Sequence, residues 1–415
     1  MKIMVVGKGG REHALARALT ESPSHPEVYT FPGSQGMRDV SFPVQGPSDV
    51  PSLISHMTTH EIDLCVVGEE AWLAQGLADA CEQAGIPCFG PSKEATQLES
   101  SKLYAKEFMV RHKIPTGGFE VVTSVAEGKK AVNSYPAVLK YNGLAAGKGV
   151  AVCTEEGEVD EFLKTVFEEK RFGDDSVFVE EFLEGKEVSV ICAVAGDEYV
   201  YFTPARDYKR LKENDEGPNT GGMGAVASRQ LLDPGTFSVI EETILKPTVE
   251  GLKKDEMDYC GFLYFGIILT EEGPKVLEFN CRFGDPEAQA VLPLVHGDFA
   301  EFLFQAADRK LNPGLLQFDE GWSVTLVMAT GEYPSKSGSG DVILGLENIE
   351  SGRVYHAGTL QNEESAFTTN GGRVLAVSHT GETREEARNA AYEELRKLSF
   401  NGCQIRRDIG TMHFE

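Results

Sequence analysis

Three short apolar runs near the start of the chain each end at a glycine: "KIMVVG", "DLCVVG" and "IPCFG". Between them, "REHALARAL", the segment 49–60 and "AWLAQGLADACEQAG" carry apolar residues at helical spacing. A chain that alternates short strands with helices in this way can bury both kinds of apolar face only by laying parallel strands between layers of helix. Residues 1–106 are therefore expected to form a Rossmann-like α/β domain. Its last element is expected to be one long helix over 92–113.

From about residue 115 the rhythm changes to longer strands and hairpins ("AVLKY", "GVAVC", "SVFVEEF", "EVSVICAVAG"). Helices are expected over "GEVDEFLKTVFEEKR", near 234–254, and over "DFAEFLFQAADRK". The segment 313–415 is again strand-rich, with one helix, "TREEARNAAYEELRKL", for which Thr383 is a fitting N-cap. The chain reads as α/β and α+β multidomain. An N-terminal domain (1–106) is followed by a central domain of two α+β subdomains (107–312, with a small flap subdomain at about 115–188). A β-rich C-terminal domain (313–415) completes it, as 415 residues exceed one compact core.

The net charge is −26, with 65 acidic against 39 basic residues. Such a surface repels phosphate backbones and anionic lipid, so neither nucleic acid nor membrane is an expected partner. An anionic small-molecule substrate would need a locally basic pocket. Eight cysteines carry no Cys-x-x-Cys pair and lie mostly in apolar runs, so they read as buried free thiols of a reducing compartment. The chain opens directly on a strand, and a cytoplasmic location is expected.

Four stretches carry chemistry. "VVGKGGREHALA" is strand, glycine turn, helix; Gly9 and Gly10 let an anion approach backbone amides, with Arg11 and His13 adding donors. The dinucleotide fingerprint fails there, because Glu12 stands where a glycine is required. "VLKYNGLAAGKGVAVC" is a glycine-rich loop between strands, a flap over phosphates rather than a fixed P-loop, supplying Lys140 and Lys148. "GPNTGGMGA" can offer several amides to an anion. In "VLEFNCRFGDPE", alternation places Glu278, Asn280 and Arg282 on one face and Leu277, Phe279 and Cys281 on the other. A carboxylate, an amide oxygen and a guanidinium in a row suit a hard divalent cation and the phosphates it bridges. His56 and His60 lack the Glu of a zinc motif and read as a solvated helix face.

Together with "FVEEFLEGKEVSV", these stretches resemble the ATP-grasp ligases. "GPSKEATQLESSKLYAKEFM" and "TNGGRVLAV" extend the resemblance, within them, to the phosphoribosylamine–glycine ligase family from residue 1 to about 410. The resemblance implies an ATP-grasp fold, an ATP-dependent carbon–nitrogen ligase of purine biosynthesis, magnesium or manganese as cofactor, and ATP, glycine and phosphoribosylamine as its small-molecule partners. A monomer is the expected state. It also implies roles. Glu278 and Asn280 would hold the metal, and Arg282 and Lys148 would act on the transferring phosphoryl group. Lys140, Gly143, Ala145, Gly147, Lys148, Gly149, the stretch Glu180, Glu181, Phe182, Leu183, and Glu187 would hold ATP. Gly9, Gly10, Arg11, His13, Ser92, Lys93, Asp207, Lys209, Asn219, Thr220, Gly221, Gly222, Met223, Asp285 and Glu287 would line the acceptor and glycine region. Departures from the family pattern fall at Ser34, Glu69, Tyr141, Asn142, Tyr208 and Thr411. They leave the metal row intact and allow a paralogous ligase for another amine as the alternative. A nucleotide-binding protein without catalysis would have little reason to keep that row.

Overall fold

In the computed structural model, which describes residues 1–142 and 149–411, the N-terminal sheet is fully parallel. Its strands run in the order Phe42–Pro43, Glu27–Pro32, Lys2–Gly7, Leu64–Val67, Cys88–Phe89. The strand order reverses beside Lys2–Gly7, so a crevice opens at the carboxyl ends of that strand and Leu64–Val67. Glu12 fills it. A Cβ added at Gly7 or Gly68 would stand 2.4 or 2.5 Å from Glu12 atoms, so both strand ends need glycine to admit that side chain.

Helix ends follow local chemistry. Asp49 caps Val50–Thr59 through the Ser52 amide, and Thr383 caps Arg384–Leu395 through the Glu386 amide, as expected. The segment expected as one helix over 92–113 is two. Gln97–Ser100 stops at Ser101, whose hydroxyl leaves the helix to cap Lys102–Arg111 at the Tyr104 amide. Serine bonds backbone readily outside a helix, and here two in succession break it. Likewise 71–85 divides into Glu70–Ala74 and Leu77–Ala84 at Gly76, whose φ is +83°. Near 234–254, a π turn over Glu241–Leu245 separates Pro234–Ile240 from Lys246–Lys254, and Pro247 explains it: proline offers no N–H and crowds the preceding turn.

The flap subdomain is an antiparallel four-stranded sheet, in the order Phe119–Val122, Val177–Glu181, Ala137–Tyr141, Val150–Cys153. Helices Val125–Ala131 and Glu156–Phe167 cover it with a small core of their own around Leu139, Leu163 and Val177. The remaining large sheet has nine strands and crosses the expected boundary at 312/313. Gly224–Ala227 of the central domain pairs with Trp322–Ala329 of the tail, which pairs in turn with Arg373–Gly381. One core joins the N-terminal domain to the large sheet: Met4, Val67, Leu98 and Phe108 pack with Val190, Phe265 and Phe279. Among the described residues no helix is long and apolar enough to cross a membrane.

Arg406 ties tail to centre. Its side chain is fully enclosed, bonded to Asp408 (2.9 Å), Asp215 (2.9 Å) and the Arg210 carbonyl (2.9 Å), and its guanidinium lies 5.1 Å from the Tyr208 ring. Arg406→Ala is expected to cost about 3 kcal/mol, since it strands two carboxylates. Arg406→Lys should recover less than half, because an ammonium lacks the planar fork. Urea midpoints of the three proteins check this, and an unchanged midpoint for the alanine variant would refute the tie.

Candidate active site

The flap sheet and the large sheet face each other across a cleft of about 570 Å³, lined among others by Lys106, Lys140, Leu277, Glu278, Asn280 and Arg282. Hairpin strands Cys260–Thr270 and Gly273–Asn280 set its floor. Gly266 pairs with Glu278 and Ile267 with Val276, so Leu277 is an extra, bulged residue. This corrects the expected alternation. Phe279 and Cys281 are buried as read, but Leu277 turns into the cleft and offers it an apolar surface. Glu278 is exposed and Asn280 half-buried, both opening on the same space.

Arg282 is gripped from four sides. Its guanidinium meets Glu99 at 3.0 Å and Glu70 at 3.3 Å, and it donates to Asn280 Oδ1 at 3.1 Å and to the Phe283 carbonyl at 3.2 Å. Glu99 also accepts the Cys281 amide at 2.7 Å. Burial pushes the Glu70 carboxyl up, but Arg282 and Arg11 outweigh it and bring it to about 2. Glu99 is more deeply enclosed, and there burial prevails and raises it.

On the flap wall Glu180 receives two lysines, Lys140 of the neighbouring flap strand at 2.9 Å and Lys106 of the helix Lys102–Arg111 at 3.3 Å. Lys106 also donates to Thr116 Oγ1 at 2.8 Å. Burial lowers the Lys106 pKa, against the pull of Glu180. Glu181 accepts the Gly118 amide at 3.1 Å, while Leu183 packs beside Gly117 and Phe182 stays largely exposed. Gly149 lines the cleft and accepts from the Tyr141 amide at 2.7 Å. Gly143, Ala145, Gly147 and Lys148 lie outside the described residues.

The residues expected at the acceptor converge where the first loop meets the segment after Arg282. The Gly9 amide donates to Glu12 at 2.7 Å; Arg11 pairs with Glu12 at 2.6 Å and Glu70 at 3.6 Å and donates to the Phe283 carbonyl at 3.3 Å. Gly9 and Gly10 abut Asp285 and Gln289, and Gln289 donates to Asp285 at 2.8 Å. Asp285 is further held by Arg373 at 3.3 Å, which keeps its carboxyl below the usual range despite burial. Arg373 also donates to the carbonyls of Gly221 (2.6 Å) and Asp285 (2.8 Å). Gly222, at φ +108°, passes so close to Pro286 that a Cβ would stand 2.4 Å from it. Thr220 braces this turn through the Lys209 carbonyl at 2.8 Å and the Gly222 amide at 3.0 Å, next to half-buried Asn219.

Beside it lies a second charged group. Lys209 pairs with Glu187 at 2.9 Å, and Glu287 accepts from Ser189 at 3.1 Å. Burial, with Glu287, Glu187 and Glu278 adding to it against Lys209, raises Asp207 to about 7.

Four expected acceptor residues are placed otherwise. His13 is wholly enclosed; its Nδ1 accepts the His356 amide at 3.0 Å and its Nε2 faces Asp39 at 3.4 Å, so it pins the first helix to the tail. Ser92 caps its own turn at the Ala95 amide, and Lys93 opens on a recess with Asp79 and Gln97, across the Gln97–Ser100 helix from Leu98 and Glu99 of the cleft. Met223 is buried, and its backbone rather than its side chain bonds to Tyr208 and Val327. Glu70, Glu99, Lys106 and Arg373 were missed. For Glu99 and Lys106 the signal was the stripe Glu99, Lys102, Lys106 at helical spacing beside Leu98, Ala105 and Met109; Glu70 and Arg373 carry none.

Comparison with known proteins places this geometry. Residues 1–99, 100–288 and 323–412 match the N domain, the ATP-grasp (A) domain and the C domain of phosphoribosylglycinamide synthetase. The phosphoribosylamine–glycine ligase of Caldanaerobacter subterraneus subsp. tengcongensis is 42% identical over 416 residues, covering 99% of this chain and 100% of that protein. Its counterpart from Escherichia coli K12 is 39% identical over 428 residues, 100% of this chain and 99% of that one. The crystal structure of the Thermotoga maritima ligase superposes with a TM-score of 0.85 at 33% identity, covering 99% of this chain and all of that chain. The biotin carboxylase domain of the Hydrogenobacter thermophilus 2-oxoglutarate carboxylase, at 17% identity and TM-score 0.72, shares the fold alone. With three consecutive domains matched and full-length relatives at about 40% identity, the chain belongs to the phosphoribosylglycinamide synthetase family of ATP-grasp proteins.

Proposed function

We propose that the chain joins glycine to 5-phosphoribosylamine, converting ATP to ADP and phosphate and releasing glycinamide ribonucleotide. A glycine carboxylate oxygen attacks the terminal phosphorus and ADP departs, leaving glycyl phosphate. The amine nitrogen then attacks its carbonyl carbon, phosphate leaves, and the nitrogen gives up a proton. No protein nucleophile is needed. The demand is for alignment of anions and neutralisation of their charge.

The observation that carries this reading is the ion-pair chain Arg11–Glu70–Arg282, at 3.6 and 3.3 Å. It connects the acceptor loop directly to the residue beside the metal row. Glu278 and Asn280 supply the oxygen donors a magnesium or manganese ion prefers, and Asn280 Oδ1 keeps a lone pair beyond its bond to Arg282. Such an ion, when bound, would neutralise the polyphosphate. Lys140 from the flap sheet and Lys106 from the helix Lys102–Arg111 face the phosphates, with Glu180 as their shared counter-charge. The Glu180–Leu183 backbone and Leu277 frame the base, and Glu187 stands ready for the ribose. Gly9, Gly10 and Arg11 take the phosphoribosyl end, with Asp285 and the Asn219–Gly222 turn, while Asp207, Lys209 and Glu287 surround the glycine.

Three of the departures from the family pattern, Tyr141, Asn142 and Tyr208, are taken up by packing and hydrogen bonds within the protein and do not favour another amine. Tyr208 lies in the core, stacked on Arg406, with its hydroxyl accepting the Gly410 amide at 3.1 Å. Tyr141 packs on Phe172, and Asn142 bonds Asp175 at 3.0 Å.

ADP release by the purified protein should require magnesium-ATP, glycine and freshly formed phosphoribosylamine together. Release without phosphoribosylamine would reopen the acceptor. Asn280→Ala should lower kcat by about 100-fold or more, since it removes a metal ligand and the anchor of Arg282, while the far-UV circular dichroism stays unchanged. Wild-type turnover by that variant across a magnesium titration would sink the metal assignment.

A further inference from the structure

Three thiols of the N-terminal domain converge. Cys65 and Cys88 are register partners on neighbouring parallel strands, Leu64–Val67 and Cys88–Phe89, so their side chains share a face. Helix Leu77–Ala84 covers that face and brings Cys81 to them. All three sulfurs lie within 4.8 Å of one another. Three other cysteines satisfy their S–H groups on backbone carbonyls: Cys260 on Ala306 (3.3 Å), Cys281 on Ala95 (3.6 Å) and Cys403 on Gln404 (4.0 Å). Cys65, Cys81 and Cys88 instead turn toward each other.

We propose that Cys65, Cys81 and Cys88 form a three-sulfur site for a soft, thiophilic metal ion, with Cu(I) as the fitting occupant. The donor set is all sulfur; among the described residues the group holds no histidine or carboxylate, which disfavours magnesium, calcium and manganese. With metal–thiolate bonds of about 2.3 Å, sulfurs in a trigonal plane around one ion stand roughly 4 Å apart. The observed spacing needs only a small contraction to reach this. Zinc prefers a fourth ligand, which the apolar surroundings, Ile62, Leu77 and Ile86, do not provide. Cys65 and Cys81 are buried and Cys88 is half-buried, so the cluster is open at one corner, where an ion can pass by thiol exchange. Binding replaces thiol protons with the metal and releases them to solvent; no oxidant or reductant takes part.

The test is an anaerobic titration of the reduced full-length chain with Cu(I) presented by a chromophoric chelator of known affinity. The wild type should withdraw a single equivalent, and copper-edge X-ray absorption should report three sulfur neighbours. Cys81→Ser and the corner variant Cys88→Ser should each abolish that withdrawal, while Cys403→Ser, at the other half-buried cysteine, keeps it. Thermal unfolding of each variant separates loss of the site from loss of the fold. Equal withdrawal by the wild type and Cys88→Ser, or a copper shell of two sulfurs or of nitrogen and oxygen, would overturn the site and leave three thiols that merely pack.

Discussion

Arg282 is the interaction on which the cleft depends. A guanidinium can satisfy several acceptors at once in fixed directions, and this one joins carboxylates from two segments of the N-terminal half, Glu70 and Glu99, to the amide oxygen of Asn280. The consequences spread outward. Glu99 also holds the Cys281 amide, which fixes the chain just beyond the strand, and Glu70 passes the connection to Arg11 of the acceptor loop. Fixed donors of this kind do not have to reorganise as charge moves between substrates, and preorganisation of that sort is the main electrostatic resource of an active site.

The division between the two sheets fits this role. The large sheet carries Glu278 and Asn280, the strand ending at Asp207 and the tail in one continuous hydrogen-bonded ladder. The flap sheet has its own small core and no ladder to the large sheet among the described residues. What reaches across the cleft is polar: Lys106, on the helix packed against the large sheet, pairs with Glu180 of the flap, and Lys140 of the flap reaches the Leu277 carbonyl at 3.5 Å. Bonds of that kind can be exchanged for bonds to a phosphate without breaking a packed core.

Much of this was legible in the chain itself, and the reasons for the rest are physical. The parallel sheet, the flap hairpin and the hairpin bearing Glu278 and Asn280 follow from apolar periodicity and glycine placement, which are local. The break at Ser101 and the bulge at Leu277 do not, because each exchanges local regularity for a tertiary position: the first aims Lys106 at the cleft and the second turns an apolar side chain into it. His13 reads as a site residue because its neighbours Gly9 to Arg11 do line the loop; two residues beyond Arg11, about 200° round the helix, it faces His356 instead. Glu70, Glu99 and Arg373 find their partners across 212, 183 and 88 positions of sequence, at Arg282 and Asp285, and no window of adjacent residues contains such pairs.

Glu12, wedged between Gly7 and Gly68, has a bearing on what the N-terminal domain ignores. Sheets of this topology invite dinucleotides into the crevice that Glu12 fills. Here a built-in anion already takes the Gly9 amide and the Arg11 guanidinium. A dinucleotide seated between those two strand ends would meet a negative charge and a steric plug together. The domain therefore keeps the architecture of a dinucleotide reader with that crevice closed.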